Sequence, residues 1–211
     1  MALHNVSTIP QTEPPVRPAW LAMSHPPVLN MRGEQIGLGP LSADLLAVYQ
    51  RWLNDFDLLV MLDRRFRPLT NDWIRTWFER QSRGNGDTLV FTIWDLATMT
   101  PIGNTALQDV DVRTRTAEFG IFIAEPQFRG DGRGTETTRM MVRFALETLA
   151  LENVMLRVFD DNEPAIRTYE KVGFKEIGRR RGAHRRNGIP GDIVLMDITP
   201  ADLRPVMTAA D

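Results

Sequence analysis

Arg129-Gly130-Asp131-Gly132-Arg133-Gly134-Thr135 follows a strand-like run, Thr116-Ala117-Glu118-Phe119-Gly120-Ile121-Phe122-Ile123. It precedes an apolar stripe of Met140, Met141, Phe144, Ala145, Leu146 and Leu149 at helical spacing. The order strand, glycine-rich loop, amphipathic helix decides the reading of the fold. Three glycines in five residues let the backbone turn tightly and approach a ligand without Cβ interference. The amides at the helix mouth and the helix dipole then form an anion site, with Arg129 and Arg133 adding charge where a phosphate would sit. The loop lacks the Lys-Ser/Thr of a Walker sequence, and Gly130, Gly132 and Gly134 do not have dinucleotide-fingerprint spacing. A structural turn carrying surface arginines is the alternative for this loop alone.

Downstream of a second strand-like run at 154–159 comes Asn162-Glu163-Pro164-Ala165-Ile166-Arg167-Thr168-Tyr169-Glu170-Lys171-Val172-Gly173-Phe174. Asn162 is placed to cap a helix with Pro164 in its first turn, and Gly173 to end it. Tyr169 then stands on a helix that starts beside a strand end. Upstream, residues 28–38 read as two extended segments around a turn. Ser42 is a candidate cap before Leu45, Leu46, Val48, Tyr49, Trp52 and Leu53, and Thr70 or Asn71 before Trp73, Ile74, Trp77 and Phe78. Runs at 88–95, 101–110 and 116–123 are joined by short polar connections and read as an antiparallel meander, while 174–181 and 193–198 read as the last strands. Residues 55–68 read as a mixed connection. The expected architecture is α/β, a mixed and mostly antiparallel sheet with helices on both faces.

Arg129-x-x-Gly132-x-Gly134 resembles the coenzyme A loop, Gln/Arg-x-x-Gly-x-Gly/Ala, of the GNAT N-acyltransferases. Asn162-x-x-Ala165-x-x-x-Tyr169-x-Lys171-x-Gly173-Phe174 is similar to that superfamily's second hallmark. The run from Ala117 to Ile123 and the opening Met31-Arg32-Gly33-Glu34 resemble the branch that holds ribosomal-protein alanine N-acetyltransferases and spermidine acetyltransferases. The resemblance covers residues 28–199 and implies a GNAT-like sheet with a V-shaped splay between the fourth and fifth strands, those of Glu118 and Val154.

The resemblance further implies acetyl-CoA, or another acyl-CoA, as co-substrate and an amine as acceptor. Backbone amides of Arg129, Gly130, Asp131, Gly132, Arg133, Gly134 and Thr135 would hold the pyrophosphate. The strand edge near Phe122 and Ile123 would bond the pantetheine arm, Asn162 and Ala165 would lie at the coenzyme, and Tyr169 would stand near its sulfur. A phenol there can protonate the leaving thiolate, and strand amides can stabilise an oxyanion. Glu118 is the first candidate for the base that deprotonates the amine. Its alternative role is a surface strand residue paired with Arg115 or Arg113. Glu125, Asp109, Asp111 and a water chain are the other candidates.

Composition agrees with chemistry of this kind. Among 211 residues there is no Cys and there are three His, His4 and His25 in a Pro-rich leader and His184 in an Arg-rich run. Cysteine nucleophiles, disulfides and thiolate cages are excluded, and no metal site is expected. Tyr49, the other tyrosine, falls on an apolar stripe and reads as packing. No run of about 18 apolar residues is present, so no membrane partner and a cytoplasmic location are expected. Seven of the 14 prolines fall within residues 1–40. The expected division is a flexible Pro-rich arm at 1–27, in which Trp20, Leu21 and Met23 could dock on the domain, an acyltransferase domain at 28–199 and a tail at 200–211, in a monomer or homodimer.

The formal net charge of −2 hides an asymmetry: residues 127–186 hold 13 Lys or Arg against 9 Asp or Glu, and residues 41–126 hold 9 against 12. Genome composition could yield the same bias. Lys171 and Lys175 are the only lysines, so nearly all the positive charge is guanidinium. Five arginines crowd the stretch from Arg179 to Arg186, which reads as a solvated loop or as a contact for an anionic partner such as RNA. On the acceptor side, Asp55, Asp57 and Asp63 are followed by Arg64, Arg65 and Arg67, and the signs cancel. Trp73, Trp77 and Phe78 read as core. The first functional expectation is acetylation of a small amine such as a polyamine, amino acid or antibiotic. The alternatives are acetylation of a protein N-terminus, for example of a ribosomal protein, an RNA-associated acyltransferase, and a non-catalytic coenzyme-binding protein.

Overall fold

The structure, a computed structural model, describes residues 25–62, 67–84, 87–186 and 188–203. Most of the Pro-rich arm, with Trp20, Leu21 and Met23, lies outside the described residues. So do Asp63, Arg64 and Arg65 and residues 204–211 of the tail.

Eight strands form one sheet: β1 (Met31–Arg32), β2 (Ile36–Pro40), β3 (Leu89–Asp95), β4 (Thr100–Asp111), β5 (Thr116–Ile123), β6 (Asn153–Phe159), β7 (Lys175–Arg186) and β8 (Ile189–Ile198). Their order is β1-β2-β3-β4-β5-β6-β8-β7. Every neighbouring pair is antiparallel except β5 with β6. The helices are α1 (Leu46–Leu53), α2 (Phe56–Val60), α3 (Asn71–Ser82), α4 (Arg133–Arg143), α5 (Glu163–Val172) and α6 (Pro200–Leu203).

Local chemistry sets the helix starts. Ser42 Oγ accepts from Asp44 N–H at 3.3 Å and opens a single 3₁₀ turn ahead of α1, while Thr70 Oγ1 accepts from Trp73 N–H at 3.2 Å at the start of α3. The connection at 55–68 contains α2, absent from the sequence reading. Asp55 caps it by accepting from Asp57 and Leu58 N–H at 3.0 and 3.2 Å. α4 runs on into a wider π turn at Phe144–Thr148, closed by Leu149 N–H to Phe144 O at 3.0 Å. β7 continues through Arg186, so the arginine run is the outer strand of a hairpin rather than a loop.

Alternate strand residues feed two different cores, which puts helices on both faces of the sheet. Ile93, Ile102, Leu107, Phe119 and Val158 pack with Met141 and Val142 of α4 and Tyr169 and Val172 of α5. Trp94 and Phe122, out of phase with that set, pack with Tyr49, Trp52 and Leu53 of α1, Leu58 of α2 and Ile74 of α3. On this second face Tyr49 meets Trp77 edge-on at 5.7 Å and Trp52 meets Phe122 edge-on at 6.1 Å, pairs worth about 0.5–1.5 kcal/mol each beyond area burial.

One feature of the sheet positions the site. The parallel ladder holds for Thr116, Ala117 and Glu118 against Asn153, Val154 and Met155 and stops there, although β5 and β6 both continue. Beyond it β6 stays zipped to β8 and β5 to β4, so the two strands part. These are the strands expected to splay. They are fifth and sixth in order because residues 28–40 contribute two strands.

Candidate active site

A cavity of about 1000 Å³ occupies the splay and reaches both faces of the sheet. Its wall on the first face includes Ile121, Ile123, the Gly130–Gly134 loop, Asn162, Ala165 and Tyr169. On the second face it includes Trp52, Leu58, Trp77, Asn104, Glu118 and Arg157.

Strand register shows which backbone groups line it. Ala124 N–H donates to Ile102 O at 2.7 Å, and Thr105 Oγ1 donates to Gly120 O at 3.0 Å. In an antiparallel pair the direction alternates residue by residue, so Gly120 and Phe122 turn their amides and carbonyls to β4, and Ile121 and Ile123 turn theirs to the open edge. Phe122 therefore offers a side chain, and Ile121, absent from the expected set, offers the backbone. The carbonyl of Ile123 is already engaged by Arg129 Nε at 2.8 Å, which leaves its N–H on the splay.

The glycine loop differs in one respect from its expected role. Gly130 and Gly132 have φ of 84° and 98°, the left-handed region that favours glycine. Gly132 is the N-cap of α4 and has no side chain with which to cap it, so the amides of Gly134 and Thr135 stay open to a ligand. A Cβ at Gly134 would meet nothing within 4 Å, room that an approaching ligand can use. The two arginines, however, are engaged by the protein itself, although Arg129 borders the cavity. Arg129 bonds the carbonyls of Ile123 and Ala124 at 2.8 and 2.7 Å. Arg133 forks onto Asp95 at 3.0 and 2.7 Å, bonds Asp131 and covers the Phe128 ring at 5.1 Å. Both guanidiniums hold the loop in shape, which leaves the main-chain amides of Gly134 and Thr135 as the groups open to an anion. Thr98 and Arg133 together keep Asp95 below the usual carboxylate range, outweighing the burial that opposes them.

Asn162 caps α5, its side chain accepting from Ala165 N–H at 3.4 Å, and both residues border the cavity. Seven residues on, Tyr169 is 8% exposed and packs edge-on against Phe119 at 6.3 Å. Burial pushes its phenol up to about 12. Tyr169 is thus a neutral O–H donor at every physiological pH.

Glu118 stands on the second face, across from Gln108 on β4. Its partner is Arg157 on β6, Nε to Oε1 at 2.8 Å, not Arg113 or Arg115. Arg115 bonds Ala150 O and pairs with Glu152. Arg157 is a residue the sequence reading missed, because it lies 39 positions from Glu118 and only the parallel pairing brings the two together. The other candidate bases are held elsewhere, outside the cavity wall. Glu125 accepts from Trp52 Nε1 at 2.8 Å and pairs with Arg51. Asp111 accepts from Arg113 and Thr114 N–H at 2.7 and 3.1 Å in a turn, and Asp109 sits at φ 50° beside a register shift.

Tyr49, read as packing, is buried, with its hydroxyl 2.7 Å from Thr92 Oγ1 and accepting from Ser42 N–H at 3.1 Å. It also borders the cavity, as does Trp77, which was read as core. Away from the cavity, Arg179 pairs with Glu176 at 2.7 Å and Arg186 with Asp161 at 3.0 Å. His184 is half-buried against Phe159 and bonds Asp160 at 2.8 Å, which lowers the carboxyl of Asp160. Arg180 and Arg181 are exposed on the outer strand. Among the described residues no helix is long and apolar enough to cross a membrane.

Comparison with known proteins agrees with this fold. A spermidine N-acetyltransferase from Vibrio cholerae, solved in complex with CoA and spermine, superposes with a TM-score of 0.74 at 23% identity, over 81% of this chain and 99% of that one. An N-acetyltransferase 9-like protein of Caenorhabditis elegans is 26% identical over 149 residues, 63% of this chain and 71% of the relative. The alpha/beta-tubulin-N-acetyltransferase 9 of Mus musculus is 24% identical over 153 residues, 69% of this chain and 64% of its own length. Residues 35–175 match the model of the acetyltransferase (GNAT) domain, and the chain belongs to that family of transferase enzymes.

Proposed function

We propose that the chain transfers an acetyl group from acetyl-CoA directly to a primary amine. The observation that carries this reading is that one cavity joins three things: the unpaired edge of Ile121, the uncapped amides of α4 and the neutral phenol of Tyr169. Each fits a part of an acyl-CoA. The amides of Gly134 and Thr135 would take the pyrophosphate. The amide and carbonyl of Ile121 would pair with the pantetheine arm as a further strand does. In acyl transfer the amine nitrogen bonds the acyl carbon and the carbon–sulfur bond breaks. The Tyr169 O–H protonates the departing sulfur, and the proton lost by the amine returns to the phenolate through Glu118 or water. A strand amide at the splay would donate to the oxyanion. No covalent enzyme intermediate is needed, in keeping with a chain that has no cysteine.

The acceptor could be a small amine or the N-terminus of a protein, and both present the same nucleophile. Titration calorimetry with coenzyme A is expected to show saturable 1:1 binding, and thiol release from acetyl-CoA is expected to depend on added amine. A protein that binds no coenzyme A, or that releases thiol at the same rate without amine, overturns the reading.

A further inference from the structure

On the second face the cavity is built for something other than a polycation. Its walls include Trp52, Leu58, Met61, Leu62 and Trp77, over a floor of Ala106 and Gly120, with the neutral amides of Gln81 and Gln108 beside them. Among the described residues bordering the cavity, Glu118 is the one carboxylate, and Arg157 neutralises it. A polyamine brings several cationic centres, each of which loses hydration on entry and needs an anionic partner. Among the described residues the chamber supplies none to spare, while its aromatic and aliphatic walls suit a neutral apolar body.

One polar group there has no partner. Asn104 is 6% exposed and borders the cavity, yet its Oδ1 is buried without a hydrogen bond. Register places it between Thr92 on β3 and Phe122 on β5, so it shares their face, that of α1–α3. The hydroxyl of Thr92, its register partner on β3, is engaged with that of Tyr49 at 2.7 Å. A buried amide oxygen left unpaired is destabilising, a cost a purely structural position would shed by carrying Leu or Val. Asn104 borders the cavity, and a half-turn about its Cβ–Cγ bond exchanges oxygen with nitrogen, so the N–H of an acceptor bound there would be a partner for the oxygen.

We propose that Asn104 is an acceptor-recognition residue, and that the acceptor is a primary amine borne on a bulky apolar group with no second charge. This rests on the acyl-transfer reading above. Oδ1 takes a hydrogen bond from the acceptor amine or an adjacent N–H and holds the acceptor in the chamber, while the Trp52 and Trp77 walls enclose the apolar body.

The test uses the full chain with acetyl-CoA and compares 2-phenylethylamine and hexylamine with spermidine. Expected is a kcat/KM at least about tenfold higher for the apolar amines, corresponding to one unpaired charge excluded from the chamber. A preference for spermidine overturns the acceptor class. For Asn104→Leu, KM for 2-phenylethylamine rises about tenfold while kcat stays within about twofold, and the thermal midpoint is unchanged or higher because an orphaned polar group has gone. An unchanged KM overturns the role of Asn104. Should Asn104→Leu fail to fold, that outcome too overturns it, since it makes the amide structural. Asn104→Asp keeps the size and adds a charge, and is expected to raise kcat/KM for spermidine about tenfold; no rise counts against the proposal. Calorimetry separates the two levels: spermidine preference with coenzyme A binding intact sinks only this inference, whereas absent coenzyme A binding sinks the acyl-transfer reading itself.

Discussion

The two halves of the cavity are built by different means. On the α4–α5 face the groups turned toward a ligand are mostly main chain: the edge of Ile121 and the amides that Gly132 leaves uncapped. On the α1–α3 face they are side chains drawn from four separate segments: Trp52, Trp77, Asn104 and Arg157. A main-chain site constrains the few positions where the backbone must take a left-handed turn or start a helix, and so writes itself as glycine spacing. A side-chain site leaves no spacing, because its members meet only through tertiary structure. The first half suits an invariant ligand, and the second can change its specificity by single substitutions.

Variants can break or sharpen that contrast. Arg133→Ala is expected to have the largest effect, about 3 kcal/mol lost from folding stability, because it strands the Asp95 carboxylate, which is 1% exposed beside a guanidinium that is 15% exposed. Denaturant melts check it. If stability is kept while coenzyme A affinity collapses, the arginine is a ligand group after all and the main-chain description of that half is wrong. Next, Tyr169→Phe is expected to lower kcat about 100-fold with the coenzyme A dissociation constant unchanged; steady-state rates with any accepted amine decide it, and an unaltered kcat would move the proton donor elsewhere.

Gly132→Val forces a β-branched residue to φ 98° and is expected to weaken coenzyme A binding about tenfold. Calorimetry reads this, and acceptor KM should not follow. The smallest effect expected is that of pH. With Tyr169 raised to about 12 by burial, kcat should show no alkaline decline below about pH 10. The stability linkage has the matching sign: the folded state prefers the neutral phenol, so stability is complete below pH 10, the ordinary phenol value, and falls as pH rises toward about 12. An alkaline limb near pH 8 in kcat that Tyr169→Phe removes would contradict the buried, neutral donor.

The same contrast explains what the residues alone disclosed. The meander, the loop and the capped helix of Tyr169 were legible because alternation, glycine and Asn-x-Pro caps are local signals. The splay was not in the periodicity and came only through family resemblance. α2 was missed since five residues give too short a stripe, although Asp55 ahead of Phe56 was a cap signal. The arginine run was read as a loop because charge masks strand alternation, and pairing with β8 decided otherwise. The pairing of Arg157 with Glu118 and the isolation of Asn104 are consequences of register, which no single strand carries.

The cavity that crosses the sheet also bears on kinetics. A coenzyme held along the α4–α5 face and an amine admitted from the α1–α3 face would approach the splay from opposite sides, so neither would need to leave before the other arrives. On the direct-transfer proposal both would have to be present together, because no group of the protein takes up the acyl in between. Initial-rate plots would accordingly give intersecting rather than parallel lines, and each product could depart by its own door.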